Sequence, residues 1–364
     1  MRIGIDITAR SGGRGPGRYV TEIVSALARL DLARDAFFLY SPSREAAMDR
    51  TGLIARHVPP QRGRPWLNWT LPRAVRRDAI DLMYFPANDI WLWPHVTTVA
   101  TVLDVAPATA LRGIRRSWAD RIQNRMQMAR LEKVASRVIT ISRYSAGQIQ
   151  RLSGIPAARI SVIPCGVSAG YAPPPPGEPR DTFLLFVGAF DRRKNLERLL
   201  DAHAILRQQG FAGKLVLAGQ SRPASPGGLY IDIRALVMSK HLEGSVEIIE
   251  NPSDDDVIRL YRTAALFVFP SLVEGFGLPV LEAMACGCPV VCSNVVSLPE
   301  VGGDAVRYFD PLDAADIARK VTHLLNDAGL RLSLGNKGRD RAIRFSWDEA
   351  GERTYQLLME ASCR

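Results

Sequence analysis

Two glutamates and a pair of neighbouring cations carry the most chemistry in this sequence. Glu274 and Glu282 stand eight positions apart in PSLVEGFGLPVLEAMACGCP (270–289), with Gly275, Gly277 and Pro279 between them. The apolar run Ala265–Phe269 leads into this segment and reads as a strand. Glycines let backbone N–H groups come close to a ligand. Pro279 suits the first turn of a helix, and a helix starting there turns its free N–H groups and positive dipole end toward the loop. Glu274 would then sit at the loop entrance and Glu282 one turn into the helix. Carboxylates so placed can accept hydrogen bonds from hydroxyls on two parts of one polar ligand. The plainer alternative is a helix N-terminus with ordinary acidic preference. Arg193 and Lys194 follow another apolar run in VGAFDRRKN (187–195). Two adjacent cations at a strand end would stabilise a group that gathers negative charge as it departs, or would simply be exposed residues at a helix start. Near the N-terminus GGRGPGRY (12–19) opens a helix after a first strand, and its glycines permit close approach to phosphate. It departs from G-x-G-x-x-G, so no dinucleotide site is read there.

The elements that must position these groups follow an alternation of short apolar runs and amphipathic stretches, which implies βαβ units and parallel sheets. Strands are expected at Arg2–Ile7, Phe37–Tyr40, Leu82–Phe85, Thr97–Leu103, Arg137–Ile141 and Ile160–Ile163, with helices at Arg18–Leu30 and Arg112–Ser136. The segment 166–180, GVSAGYAPPPPGEPR, holds four consecutive prolines that cannot continue a helix or a central strand, and reads as a stiff linker. The alternation then restarts, with strands at Phe183–Val187, Lys214–Leu217, Val246–Ile249, Leu266–Phe269 and Val290–Cys292. Helices are expected at Leu196–Gln208, Asp254–Ala264, Pro279–Cys286 and Ala314–Asn326. The fold class is therefore α/β, with two Rossmann-like, doubly wound domains facing a cleft. The expected domains are 1–170 and 181–345, each Rossmann-like, and 346–364, a helix packing back toward the first. No internal repeat is visible in the sequence.

A length of 364 residues, with 47% hydrophobic and 23% charged residues, fits two globular domains and excludes a disordered or fibrous chain. No stretch reaches the roughly 18 apolar residues of a membrane span, and the polar turn after the first strand is unlike a secretory signal. The five cysteines, Cys165, Cys286, Cys288, Cys292 and Cys363, form no C-x-x-C pair, so neither a disulfide framework nor a zinc site is expected and a cytoplasmic location fits. The net charge of +10 is uneven. Residues 1–180 carry 26 basic and 13 acidic residues, while residues 181–364 carry 21 and 24. The excess falls in RGRPWLNWTLPRAVRR (62–77), where Trp66 and Trp69 sit among arginines, and in Arg112–Arg137. Either this is a solvated face in an arginine-rich chain, since only six of the 47 basic residues are lysine, or it rests on an anionic membrane surface with its tryptophans in the interface. No nucleic-acid-binding motif is present, so nucleic acid is not an expected partner.

The stretch from Glu274 to Glu282 resembles the E-x7-E motif of the family-four retaining glycosyltransferases of the GT-B fold, and 187–195 resembles that family's diphosphate-binding strand end. Gly15–Tyr19 is similar to the G-x-G-R-Y segment of its mannosyltransferase-like members, and Phe345-Ser-Trp347 to its crossing helix. The resemblance implies that Glu274, Gly275, Phe276, Gly277 and Leu278 hold the donor sugar and Glu282 the ribose. It likewise implies that Arg193 and Lys194 meet the diphosphate and that Gly188, Gly13 and Gly15 approach the donor. Asp104, Arg193, Lys194 and Glu274 form the implied catalytic set. Many relatives carry a His-Asp pair where this chain has Leu103-Asp104. Leucine cannot donate a hydrogen bond, while Asp104 could orient the acceptor hydroxyl or be a turn residue; His95 reads as a surface residue. The implied activity is retaining transfer of a hexose, mannose from GDP-mannose being the best match, to a saccharide or polyprenyl-linked acceptor in bacterial surface polysaccharide (lipopolysaccharide-type) assembly. The enzyme would be peripheral on the inner membrane face and need neither metal nor cofactor. The alternatives are a non-catalytic nucleotide-sugar-binding relative, or a transferase using another NDP-hexose.

Overall fold

The computed structural model describes residues 1–11, 14–30, 35–44, 53–61, 65–105, 118–175, 180–221 and 229–363. The chain forms two compact units. One takes in the described residues up to Gly166 and the segment from Ser346 onward; the other is Val167–Phe345.

The first unit holds β1 (Arg2–Asp6), β2 (Ala36–Ser41), β3 (Leu53–His57), β4 (Leu82–Phe85), β5 (Thr97–Val102), β6 (Arg137–Thr140) and β7 (Ile160–Val162). Its helices are α1 (Arg14–Leu27), α2 (Leu71–Arg77), α3 (Trp118–Val134), α4 (Arg143–Ser153) and, from the far end of the chain, α12 (Trp347–Ser362). The strands lie in the order β3-β2-β1-β4-β5-β6-β7, all parallel. Central strands such as β4 are buried at every position, as expected of a parallel sheet covered on both faces. α12 begins where the Ser346 hydroxyl accepts from the backbone N–H groups of Asp348 and Glu349, an N-cap. It lies close against α1: a Cβ on Gly351 would stand 2.7 Å from Ala26 Cβ.

The second unit holds β8 (Leu184–Val187), β9 (Leu215–Gly219), β10 (Val246–Glu250), β11 (Leu266–Phe269), β12 (Val290–Ser293) and β13 (Arg307–Phe309). Its helices are α5 (Leu196–Gln208), α6 (Ile233–Ser239), α7 (Asp254–Thr263), α8 (Leu278–Ala285), α9 (Leu298–Gly302), α10 (Ala314–Asn326) and α11 (Ala328–Ala342). The order is β10-β9-β8-β11-β12-β13, again all parallel. Strand order thus reverses between β1 and β4 in one sheet and between β8 and β11 in the other. At such reversals the loops leaving the carboxyl ends of the two strands run to opposite faces and leave a crevice for ligands. α7 opens with a capping box between Ser253 and Asp256, and Asp254, Asp255 and Asp256 line its positive end.

Pattern reading places the strands of both sheets except β3 and β13. β3 alternates half-buried and exposed positions at a sheet edge, and β13 has only three residues. The helix expected at Arg112–Ser136 runs over Trp118–Val134 among the described residues; its first residues lie outside them. The helix expected from Pro279 begins one residue earlier, at Leu278.

Candidate functional site

Both loops that carry the chemistry leave the β8/β11 reversal. After β8 the chain runs through Gly188 to Asp191, whose carboxylate accepts from the Arg193 backbone N–H at 2.9 Å and so starts a short 3-10 turn, Arg192–Lys194. Asn195 ends that turn in the left-handed region (φ 56°), and its side-chain amide donates to the carbonyls of Pro270 and Pro311. After β11 the chain passes Pro270 and Ser271 to Glu274. The two loops are stitched together: Leu272 N–H donates to the Arg193 carbonyl at 2.8 Å, and Ser271 Oγ lies 3.2 Å from the same carbonyl.

This stitching brings Lys194 and Glu274 into contact. Lys194 Nζ donates to Glu274 Oε1 at 2.6 Å, with the two side chains only 10% and 13% exposed. Ser271 Oγ donates to the same oxygen, and the ammonium lies 5.1 Å from the centre of the Phe269 ring. Charges so far from water hold together because each is the other's counterion; removing one partner leaves an uncompensated buried charge. Arg193 points its guanidinium to the buried carboxylate of Asp191, Nη2 to Oδ2 at 2.9 Å.

Gly277 caps α8 with φ 109°, a region that favours glycine, and a Cβ there would press on Leu298 at 2.7 Å. The fully buried Ser297 hydroxyl shares its one proton between the carbonyls of Glu274 and Phe276, each 2.9 Å away, and fixes the loop's course. Phe276 meets Phe345 edge to face at 5.9 Å. Glu282 is 6% exposed, one turn into α8, and accepts from Tyr261 Oη at 3.4 Å. Gly188 lies beside Lys194: a Cβ there would be 3.6 Å from Lys194 Cε.

The remaining expected residues belong to the first unit. Asp104 is half-buried just past β5. Burial, and then the charge of Asp104, push the Tyr144 phenol up from its ordinary value. Leu103 is buried, and its N–H donates to Asn88 Oδ1 at 2.8 Å. Gly15 lies in the first turn of α1 with nothing near the place of a Cβ, while Gly13 lies outside the described residues. His95 is exposed, as its sequence position suggests.

Sequence reasoning passes over Asp191, Asn195, Ser271 and Ser297, which shape the two loops. Ser297 lies too far along the chain for a linear motif to include it. It also passes over Asp6, at the end of β1 beside the first sheet's reversal. That carboxyl is buried and accepts from Thr8 N–H at 2.9 Å and Thr8 Oγ at 2.6 Å. Burial outweighs these bonds and raises its pKa to about 6.

Two parallel α/β units of dinucleotide-domain strand order, the second with a glutamate-bearing loop and a glycine-capped helix at its reversal, define the GT-B class. Residues 13–170 match the family model described as Glycosyltransferase Family 4, and residues 174–341 that described as Glycosyl transferases group 1. Between them the two models cover most of the chain, which belongs to the glycosyltransferases. It is 36% identical over 239 residues to the O-antigen chain mannosyltransferase B of Escherichia coli, a match covering 62% of this chain and 61% of that protein. It is 39% identical over 171 residues to the serotype-specific mannosyltransferase WbdA of E. coli, covering 46% of this chain and 20% of WbdA. The chain thus spans less than two thirds of these curated relatives. Among solved structures, sucrose-phosphate synthase from Thermosynechococcus elongatus aligns over 99% of this chain and 98% of its own with TM-score 0.78 at 21% identity, a likeness of fold.

Proposed function

We propose that this chain is a hexosyltransferase that moves mannose from GDP-mannose, with retention of configuration, to a saccharide or polyprenyl-linked acceptor in bacterial surface polysaccharide assembly. The observation that carries the reading is the buried Lys194–Glu274 pair at the β8/β11 reversal, beside the amino end of α8. The similarity to the O-antigen chain mannosyltransferase B and to WbdA supports mannose and a polysaccharide product.

The groups have distinct roles. Lys194 directs one N–H of its ammonium to Glu274 as a hydrogen bond and keeps two for the diphosphate of the donor. Arg193 adds a second cation, held by Asp191, so the charge that gathers on the departing diphosphate meets groups already in place. Glu274 accepts from hydroxyls of the hexose and Glu282 from the ribose, while the N–H groups of Gly275 to Leu278 face the sugar. Gly188 keeps the end of β8 open for the donor. The acceptor hydroxyl attacks on the face from which the diphosphate leaves and gives its proton to a phosphate oxygen, so positioning outweighs a strong protein base. Asp104 orients that hydroxyl, and Leu103 in place of histidine is tolerated. No metal or cofactor enters this scheme, and the acceptor's lipid places the enzyme peripherally on the cytoplasmic membrane.

The test is a thermal-shift series with GDP, UDP, ADP and their hexose conjugates, followed by transfer assays in which NMR reads the anomeric configuration of the product. GDP and GDP-mannose should raise the melting temperature most. A preference for another nucleotide overturns the donor assignment. Tight donor binding with no transfer to any mannan-type acceptor overturns the enzymatic reading in favour of a non-catalytic donor-binding protein, the reading that Leu103 favours.

A further inference from the structure

The first unit exposes an apolar and basic face that the transfer scheme does not use. A five-residue π-helical turn, Trp66–Thr70, feeds directly into α2. Leu71, Pro72, Ala74 and Val75 point into the core, while Arg73, Arg76 and Arg77 point outward. The turn separates its two tryptophans. Trp66 is half-buried, donates from Nε1 to the Val58 carbonyl at 2.7 Å and packs on the core, so the expectation that it enters an interface is corrected. Trp69 is 41% exposed, with the Arg73 guanidinium 4.1 Å from its ring centre.

A second segment continues the same face. Asn68 Oδ1 accepts from the Leu92 N–H at 2.6 Å, joining the π-helical turn to the stretch after β4. Trp91 anchors that stretch from inside: it is fully buried, meets Phe85 edge to face at 5.2 Å, and donates to Thr98 Oγ. The next residues face outward, with Leu92 at 38% and Trp93 at 66% exposure. Arg76 reaches His95 at 3.3 Å and closes the patch on its basic side. α3 adds a third strip. Arg130 donates to the Ile90 carbonyl and Gln127 to that of Asn88, so α3 lies against this stretch. One and two turns back from Arg130 on the same helix face, Met126 and Ile122 are exposed, with Arg125 beside them.

We infer that Trp69, Leu92, Trp93 and Met126, ringed by Arg73, Arg76 and Arg125, form a docking surface for an anionic lipid bilayer. This deepens the proposal of a lipid-linked acceptor by placing the contact on named side chains, and so rests on that proposal for its biological setting. The physical grounds are independent of it. Large exposed apolar side chains are grouped here rather than scattered, and grouped exposure on a soluble surface marks a binding face. Tryptophan suits the headgroup region, where its ring is apolar and its N–H can meet water or phosphate. The arginines of the rim match lipid phosphates and an anionic leaflet, and none of the named residues is acidic. The aliphatic members, Leu92 and Met126, favour acyl chains over a carbohydrate, which would be met by aromatic rings with hydrogen-bonding partners. A rigid buried anchor, Trp91, holds the exposed pair in place without a binding partner. Among the described residues no helix is long and apolar enough to cross a membrane, so this contact would lie on the surface.

The experiment is co-sedimentation and tryptophan fluorescence with vesicles of phosphatidylcholine alone and of phosphatidylcholine mixed with phosphatidylglycerol. The full chain should bind the mixed vesicles in low salt, with a blue-shifted emission, and bind phosphatidylcholine weakly. Trp93→Ser together with Trp69→Ser should weaken binding at least about tenfold, and Arg73→Glu with Arg76→Glu should remove the preference for the anionic lipid. Circular dichroism and the GDP thermal shift, read on the same variants, should match the parent chain. Those two readouts report the fold and the second unit's donor reading, so loss of vesicle binding and loss of donor binding are told apart. Equal binding by parent and variants overturns the surface. So does a tryptophan response to soluble mannan without one to vesicles, and so does a concentration-dependent dimer that the tryptophan variants abolish.

Discussion

The two sheets share a strand order, yet their reversals are built differently. At β8/β11 two loops are hydrogen-bonded to each other, enclose an ion pair and are backed by a glycine-capped helix. At β1/β4 a buried carboxyl, Asp6, accepts from the backbone N–H and hydroxyl of Thr8, and the next strand end carries Leu103 tied to Asn88. The first arrangement has its charges compensated within the protein; the second retains a carboxyl that burial disfavours in its ionised form. Preorganised opposite charges suit a ligand with fixed charge, such as a diphosphate, because they need no rearrangement when it arrives. A carboxyl that burial disfavours as an ion suits hydroxyls, which can donate to it and make up for lost water.

The largest expected effect tests how tightly the second reversal is packed. A Cβ on Gly219, at the end of β9, would lie 1.7 Å from the Gly188 carbonyl oxygen, and neither backbone can yield. Gly219→Ala should prevent the second unit from folding, read as loss of its cooperative melting transition, whereas Gly15→Ala in the first unit should leave both transitions in place. Next, Glu274→Gln and Lys194→Met should each lower transfer by at least about 100-fold, and the double variant should be little worse than either, because the residues act as a unit. Each single change should also lower the melting temperature, since it strands a buried charge. A double variant whose losses multiply would break the view of one preorganised pair.

A smaller effect sharpens the other side of the comparison. Asp6 ionises in the folded chain near pH 6, well above its unfolded value, so the unfolded state releases its proton first. Stability of the first unit should therefore fall as pH rises from about 4 to about 6, by up to about 3 kcal/mol if Asp6 acts alone. Asp6→Asn keeps an oxygen for Thr8 and should flatten this dependence, measured by denaturant titration at pH 4 and pH 7. An unchanged slope would show that the carboxyl is compensated. Smallest is Ser297→Ala, which removes the one donor shared by the carbonyls of Glu274 and Phe276. It should cost about 1–2 kcal/mol of stability and weaken GDP binding several-fold.

The same contrast sets what could be read in advance. Strands such as Leu184–Val187 and Leu266–Phe269 are unbroken apolar runs because both faces are covered, and the eye finds them. Lys194 and Glu274 were visible because each follows such a run within a few residues. β3 was not, because an edge strand with one covered face mixes Arg56 and His57 with Leu53 and Ile54. α11 was obscured by Gly329, Gly335 and Gly338. Gly335 allows close approach to the Gly287 carbonyl, and Gly338 lies against Met284, so these glycines serve helix packing rather than a turn. The order shared by the six strands of the second sheet and the first six of the first leaves no trace as a sequence repeat, since parallel sheets need apolar character but not particular residues. The partners of the site, Asp191, Asn195 and Ser297, depend on where loops meet in space, which spacing along the chain does not encode.

The placement of α12 sets an order of events during synthesis. Val167–Phe345 is a continuous stretch inserted within the first unit, whose last helix comes from beyond it and lies against α1. Arg29 pairs with Asp348 at 2.5 Å, and Tyr355 meets Phe37 edge to face and donates to Asp35. A chain emerging from the ribosome therefore has every residue of its second unit available before α12 exists. The half begun first is the half completed last.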